Sequence, residues 1–130
     1  MNFNWIQFAD DDLKTARITF DEEIYNHTCF HSQQAIEKSL KGFLSFKNQQ
    51  IPKDHHLLRL INTCIHIDNE FKKFKEECKI IDQYYIPTRY PDAIIGSKEN
   101  GLPNKGDAEE AFDIACKIYS LVISKIEMSR

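Results

Sequence analysis

Two imidazoles and two ammoniums fall along one line of a predicted helix. At roughly 100° per residue, His27, His31, Gln34, Lys38, Lys41 and Ser45 lie within about 40° of one common direction. Such a line could track phosphates, because lysine and protonated histidine supply charge-assisted donors to phosphate oxygens. It is equally what a solvated helix face with ordinary lysines would show. Gln33 lies instead at the flank of the same helix's apolar stripe. Packed inward, its amide would need hydrogen-bond partners from a neighbouring element.

A second group is Lys53-Asp54-His55-His56, ahead of an apolar run. A lysine and imidazoles beside a helix N-terminus make an anion site, since free N–H groups point outward there. A capping turn with one histidine packed inward fits the same residues. The third group is Tyr84-Tyr85-Ile86-Pro87-Thr88-Arg89-Tyr90-Pro91-Asp92. Tyrosines can stack on a base, and an arginine between prolines is held on stiff backbone, ready to fork onto phosphate or carboxylate. Arg89 and Asp92 could instead pair with each other and pin the loop.

Metal and nucleophile chemistry finds less. Cys29-Phe30-His31 and Cys64-Ile65-His66 place Cys and His two apart, about 200° around a helix, where they cannot share a metal. There is no glycine-rich phosphate loop and no Ser or Cys with an identifiable base. Neither a metal nor a cofactor is expected, and Glu37, Glu76 and Glu77 show no recognisable pairing.

These residues need helices to position them. Trp5, Ala9, Leu13, Ala16 and Phe20 recur on one face of a first helix from about Asn4 to Phe20. Asp21, with Glu22 and Glu23 behind it, reads as the N-cap of a second helix from about Glu23 to Lys47. Its stripe is Tyr25, Cys29, Ile36, Leu40 and Phe43. Asp54 is placed to cap a third helix bearing Leu57, Leu58, Ile61, Cys64 and Ile65. Asp68 is placed to cap a fourth with Phe71, Phe74, Cys78 and Ile81 inward. From Tyr84 to Gly106 no periodicity appears, and so long a connection is usually functional or disordered. A fifth helix, from near Asp107 to near Met128, carries Ala108, Ala111, Ala115, Ile118, Val122 and Ile126 on one face. Glu110, Asp113, Lys117, Ser120 and Ser124 form its polar back.

The 130 residues suit one domain, spanning 1–130, with a core of useful size. Only four glycines and four prolines interrupt the chain, and no run alternates apolar and polar as a strand would. The expectation is an all-α, up-and-down helical bundle of about five helices. The N-terminus lacks the apolar core of a signal peptide, and nothing approaches the roughly 20 apolar residues of a membrane span. Cys29, Cys64, Cys78 and Cys116 have no C-x-x-C pairing, and Cys29 and Cys116 fall on apolar stripes. Buried free thiols and a cytoplasmic location follow. A net charge of −3 gives no global attraction for nucleic acid. Locally, however, Lys38, Lys41, Lys47, Lys53 and Arg59 share a region whose acids are Glu37 and Asp54. With 12% aromatic residues, and with Phe8, Phe30 and Phe46 off the main stripes, a symmetric homodimer is expected.

Taken in order, four segments resemble the HEPN family of small prokaryotic helical proteins. They are Trp5-x3-Ala9-x2-Asp12-Leu13-x2-Ala16, the run from Cys29 to Lys41, Lys53-Asp54-His55-His56-Leu57-Leu58, and Tyr85 to Asp92. Together they span almost the whole chain. The resemblance implies a helical bundle that binds nucleotide or a partner, without catalysis of its own, beside a minimal nucleotidyltransferase. Carried over by motif, the nucleotide-binding residues would be Lys38, Lys53, His56, Arg89 and Tyr90. Many members are instead ribonuclease toxins of toxin–antitoxin pairs, using an Arg-x4–6-His motif. This chain departs from that pattern, because no histidine lies between Tyr90 and Glu99. Arg59 and His66 have the spacing, but within the third helix. Were RNA the substrate, His66 or His56 would be the acid/base and Arg59 or Arg89 the phosphate clamp.

Overall fold

The computed structural model describes residues 4–53, 55–85 and 103–129, the side chains of 83–85 excepted. It contains α1 (Trp5–Asp21), α2 (Tyr25–Phe46), α3 (Leu57–Ile67), a 3-10 segment (Asn69–Phe74), α4 (Lys75–Tyr85) and α5 (Lys105–Met128). Among the described residues there is no strand. The architecture is the expected all-α helical bundle.

The first helix opens on Asn4, whose side-chain oxygen accepts from the Gln7 N–H at 3.2 Å. Ala9 and Ala16 are fully buried, as their spacing requires. Asp21 is not the cap of the next helix but the last residue of α1. The chain reverses through a Schellman turn, in which Ile24 N–H donates to Thr19 O at 2.8 Å and Glu23 N–H to Phe20 O at 3.0 Å. That turn puts Glu23 at φ 62°, in the left-handed region. Ile24 then precedes α2 without any side-chain cap. A turn of the same kind ends α2, with Asn48 at φ 57°.

The second helix is the centre of the molecule. It packs against α1, α3, α4 and α5, and its polar line is exposed at His27, half-buried at His31 and Lys38 and buried at Lys41. Gln33, Glu37 and Lys41 are buried alongside Ile36, Leu40, Phe43 and Leu44. The two helices approach closely at Gly42, where a Cβ would lie 2.6 Å from Ile6 Cδ1 and 3.3 Å from Trp5 Cβ. Phe43 meets Phe71 at 4.6 Å between ring centroids. Burying each such ring contributes about 1.5–3 kcal/mol.

The cap of α3 comes from α4. Asp82 accepts from Leu57 N–H on Oδ1 and from Leu58 N–H on Oδ2, each at 2.9 Å. Asp54, expected in that role, lies outside the described residues. Asp68 caps as expected, accepting from Glu70 N–H at 3.0 Å, but what it opens is the 3-10 segment, which then runs into α4. Phe71, Phe74, Cys78 and Ile81 all face inward. Because α4 reaches Tyr85, Tyr84 and Tyr85 belong to a helix rather than to the aperiodic stretch. The last helix starts two residues earlier than expected, behind an Asn104–Asp107 capping box. Its alanine-led stripe is buried through Val122, with Ile126 at the edge of the core. Cys29, Cys64 and Cys78 are buried and in no disulfide, whereas Cys116, expected inside, is half-buried.

Candidate functional site

Two carboxylates organise the polar residues of α2, and the sequence alone assigns a role to neither. Asp12 on α1, almost fully buried, accepts from His31 Nδ1 at 2.9 Å and from Lys38 Nζ at 2.6 Å. Burial pushes the Asp12 carboxyl up, but the hydrogen bonds and charges of His31 and Lys38 outweigh it and hold it below the usual carboxylate range. The Lys38 ammonium also lies 6.0 Å from the Phe8 ring centroid. Lys38 is therefore engaged on the α1 side of the bundle.

The second carboxylate is Glu37. Its Oε2 accepts from Lys41 Nζ at 3.0 Å and from His55 Nδ1 at 3.1 Å. Lys41 is itself buried, with its ammonium 5.3 Å from the Trp5 ring centroid. With the Glu37 carboxylate as acceptor, His55 donates through Nδ1. The His55 side chain is 66% exposed. Gln33 has the partners that its burial demands. Its Nε2 donates to the His55 carbonyl at 3.2 Å, and its Oε1 accepts from Gln34 at 3.0 Å. The segment before α3 is thus fixed to α2 through both the backbone and the imidazole of His55.

Neither reading of the helix-2 line holds along its whole length. Lys41 is buried with Glu37, Lys38 and His31 share Asp12, and His27 alone of the histidines and lysines on that line is exposed. Lys53 and His56 are exposed beside His55 at the start of α3. The N–H groups that were to serve an anion there are taken by the Asp82 carboxylate, so any anion would be held by side chains. Arg89 and Tyr90 lie outside the described residues. Arg59 and His66 are exposed along α3.

The described residues of this arrangement offer acid–base and electrostatic roles. Burial pushes the Cys64 thiol up to about 12 and raises Cys78 as well, which rules out thiolate nucleophiles there. Among the described residues, no three His, Cys, Asp or Glu side chains gather to hold a metal. Nor is any described helix long and apolar enough to cross a membrane.

The molecule is thus a helical bundle centred on α2, with a histidine-bearing lead-in to α3. The HEPN domain model matches residues 4–126, and the chain belongs to the HEPN family. It is 25% identical over 127 residues to the Methanocaldococcus jannaschii protein named "Putative toxin MJ1304", covering 91% of this chain and 83% of that protein. Among solved structures it resembles TT1696 from Thermus thermophilus, with a TM-score of 0.79, 32% identity and coverage of 94% and 95% of the two chains. It also resembles ST0689, an archaeal HEPN homologue, with a TM-score of 0.74, 30% identity and 95% of each chain covered.

Proposed function

We propose that this HEPN chain is a nucleotide-binding module, not catalytic by itself, that works in the cytoplasm with a minimal nucleotidyltransferase. The observation that carries this reading is the exposed trio Lys53, His55 and His56, at a helix start whose acids already have partners. Glu37 is buried against Lys41, and Asp82 is bonded to the α3 backbone. Lys53 and His56 take the phosphates, while Arg89 and Tyr90, outside the described residues, add a guanidinium and a stacking ring. Lys38, bonded to Asp12, is left out of the direct contacts. Calorimetric titration with common nucleotides, with and without the nucleotidyltransferase, tests it. Lys53→Ala or Arg89→Ala removes a charge-assisted contact of about 1.5–3 kcal/mol, and affinity then falls roughly 10- to 150-fold. The homodimer belongs to the same reading. Phe8 is 43% exposed, and sedimentation at tens of micromolar is expected to give twice the chain mass.

Two observations favour a second reading, an RNA-cleaving toxin. The Glu37–His55 pair orients an exposed imidazole as a general base requires, and a curated relative is named as a toxin. Incubating the pure protein with total RNA separates the two. Cleavage that disappears in His55→Ala establishes the toxin, and intact RNA leaves the binding module.

A further inference from the structure

The 3-10 segment and the end of α3 enclose a hollow of about 410 Å³ whose lining includes Asn62, His66, Asn69, Lys72 and Lys75. No carboxylate lines it, and the one ring in its lining is the His66 imidazole. Six of the ten other lysines in the described residues are ion-paired: Lys38 and Lys41 as above, Lys14 with Asp10, Lys73 with Glu70, Lys117 with Asp113, and Lys125 with both Asp68 and Glu70. Lys72 and Lys75, both exposed, have no acidic partner among the described residues. The acids nearest in sequence are occupied. Asp68 and Glu70 are bonded to Lys125, which holds both carboxyls below their usual range. Glu76 and Glu77, in the first turn of α4, are the remaining negative charges close by.

The hollow also continues a polar face. Residues 55–67 include no acid, and Arg59, Asn62, Thr63 and His66 recur on one side of α3. From His56 to His66 this face runs about 15 Å, more than one nucleotide's phosphates would occupy.

We propose that the α3–3-10 hollow is a second phosphate site, held by Lys72 and Lys75, and that it takes the far backbone phosphates of a short single strand lying along α3. The identity of the ligand rests on the nucleotide-binding reading above, whereas the site rests on its own residues. Two ammoniums meet phosphates and not base edges, so the hollow reads backbone and not sequence.

The test measures binding of a fluorescent ten-nucleotide RNA and of AMP to the full chain, across a salt series. In the Lys72→Ala/Lys75→Ala double variant the strand is expected to bind at least about tenfold more weakly. Its log–log salt slope should be shallower by roughly 1.4, two phosphate contacts' worth, with AMP affinity unchanged. Lys53→Ala should weaken both ligands. Both lysines are exposed and unpaired, so melting of the double variant should match the parent and exclude a folding artefact. Unchanged strand affinity and slope in the double variant, with AMP still bound, overturn the second site and leave the first. Loss of strand binding in the double variant, with no effect of Lys53→Ala, retains the hollow and overturns the first site. A parent that binds neither ligand overturns both.

Discussion

Glu37 and His55, 18 residues apart in sequence, meet across the gap between α2 and the lead-in to α3, a buried carboxylate oxygen accepting from an exposed imidazole at 3.1 Å. The two partners carry unequal weight. Replacing Glu37 with Leu leaves the buried Lys41 ammonium uncompensated, and such losses cost about 3–5 kcal/mol. His55→Ala leaves the Glu37–Lys41 pair intact and should cost under about 1 kcal/mol. Urea unfolding of the two variants is the check. Equal destabilisation would mean that the imidazole, and not the ammonium, is the partner on which the carboxylate depends.

Much of this architecture was legible because it depends on spacing along one helix. Ala9 and Ala16, or Ala108 through Val122, could only be buried together. Lys41 was not legible, because whether a polar helix face meets water depends on what packs over it, and α1 was not assigned there. The pairing of Glu37 with Lys41 was available from their four-residue spacing, whereas that of Glu37 with His55 was not. Likewise no local signal links Asp82 to the Leu57 N–H, 25 residues away. Asp21-Glu22-Glu23 has the composition of a helix start, yet backbone hydrogen bonds alone make it a helix end. The basic lead-in at Lys53, His55 and His56 was visible as composition. The burial of its supporting carboxylate was not.

Asp12 makes stability depend on pH. Its carboxyl sits below the usual range in the folded protein, so the folded state favours the ionised form. That contribution is complete above the unfolded value near 3.9 and is lost as pH falls through the folded one. Asp12→Asn should therefore be less stable than the parent at pH 6, by about 1–3 kcal/mol for a lost charged hydrogen-bond acceptor. The difference should shrink steadily below pH 4. Denaturant melts of both proteins between pH 2.5 and 6 are the measurement, and a constant gap across that range would remove Asp12 as the acid-sensitive group.

Glu23 occupies a conformation that a residue with a Cβ adopts at a cost of about 1–2 kcal/mol. Its side chain is exposed, and its N–H already closes the turn to Phe20. Glu23→Gly keeps the turn, removes the steric cost and takes a negative charge away from the C-terminal end of α1. Against this stands the greater freedom of glycine in the unfolded chain. The net expectation is a gain of about 0.5–1 kcal/mol, read as a higher melting temperature. A loss would show that the Glu23 side chain stabilises the α1–α2 turn.

Asp82 ties α4 to the first turn of α3, bonding two adjacent N–H groups with its two oxygens. A carboxylate at that position satisfies donors that α3 leaves open and opposes the positive end of its dipole. Asp82→Ala should cost about 1–2 kcal/mol, the range for losing a helix cap. Asp82→Asn, which keeps one acceptor oxygen, should cost less. The distinguishing readout is local. Amide hydrogen exchange at Leu57 and Leu58 should speed up far more in the alanine variant than exchange at Ile36 or Leu40 in the core of α2. Because His55 and His56 directly precede those amides, fraying there would also loosen the exposed trio. Nucleotide affinity should then fall in Asp82→Ala although Asp82 itself contacts no ligand. Uniform acceleration of exchange throughout the chain would show instead that α3 cannot open on its own, and that the cap supports the whole fold.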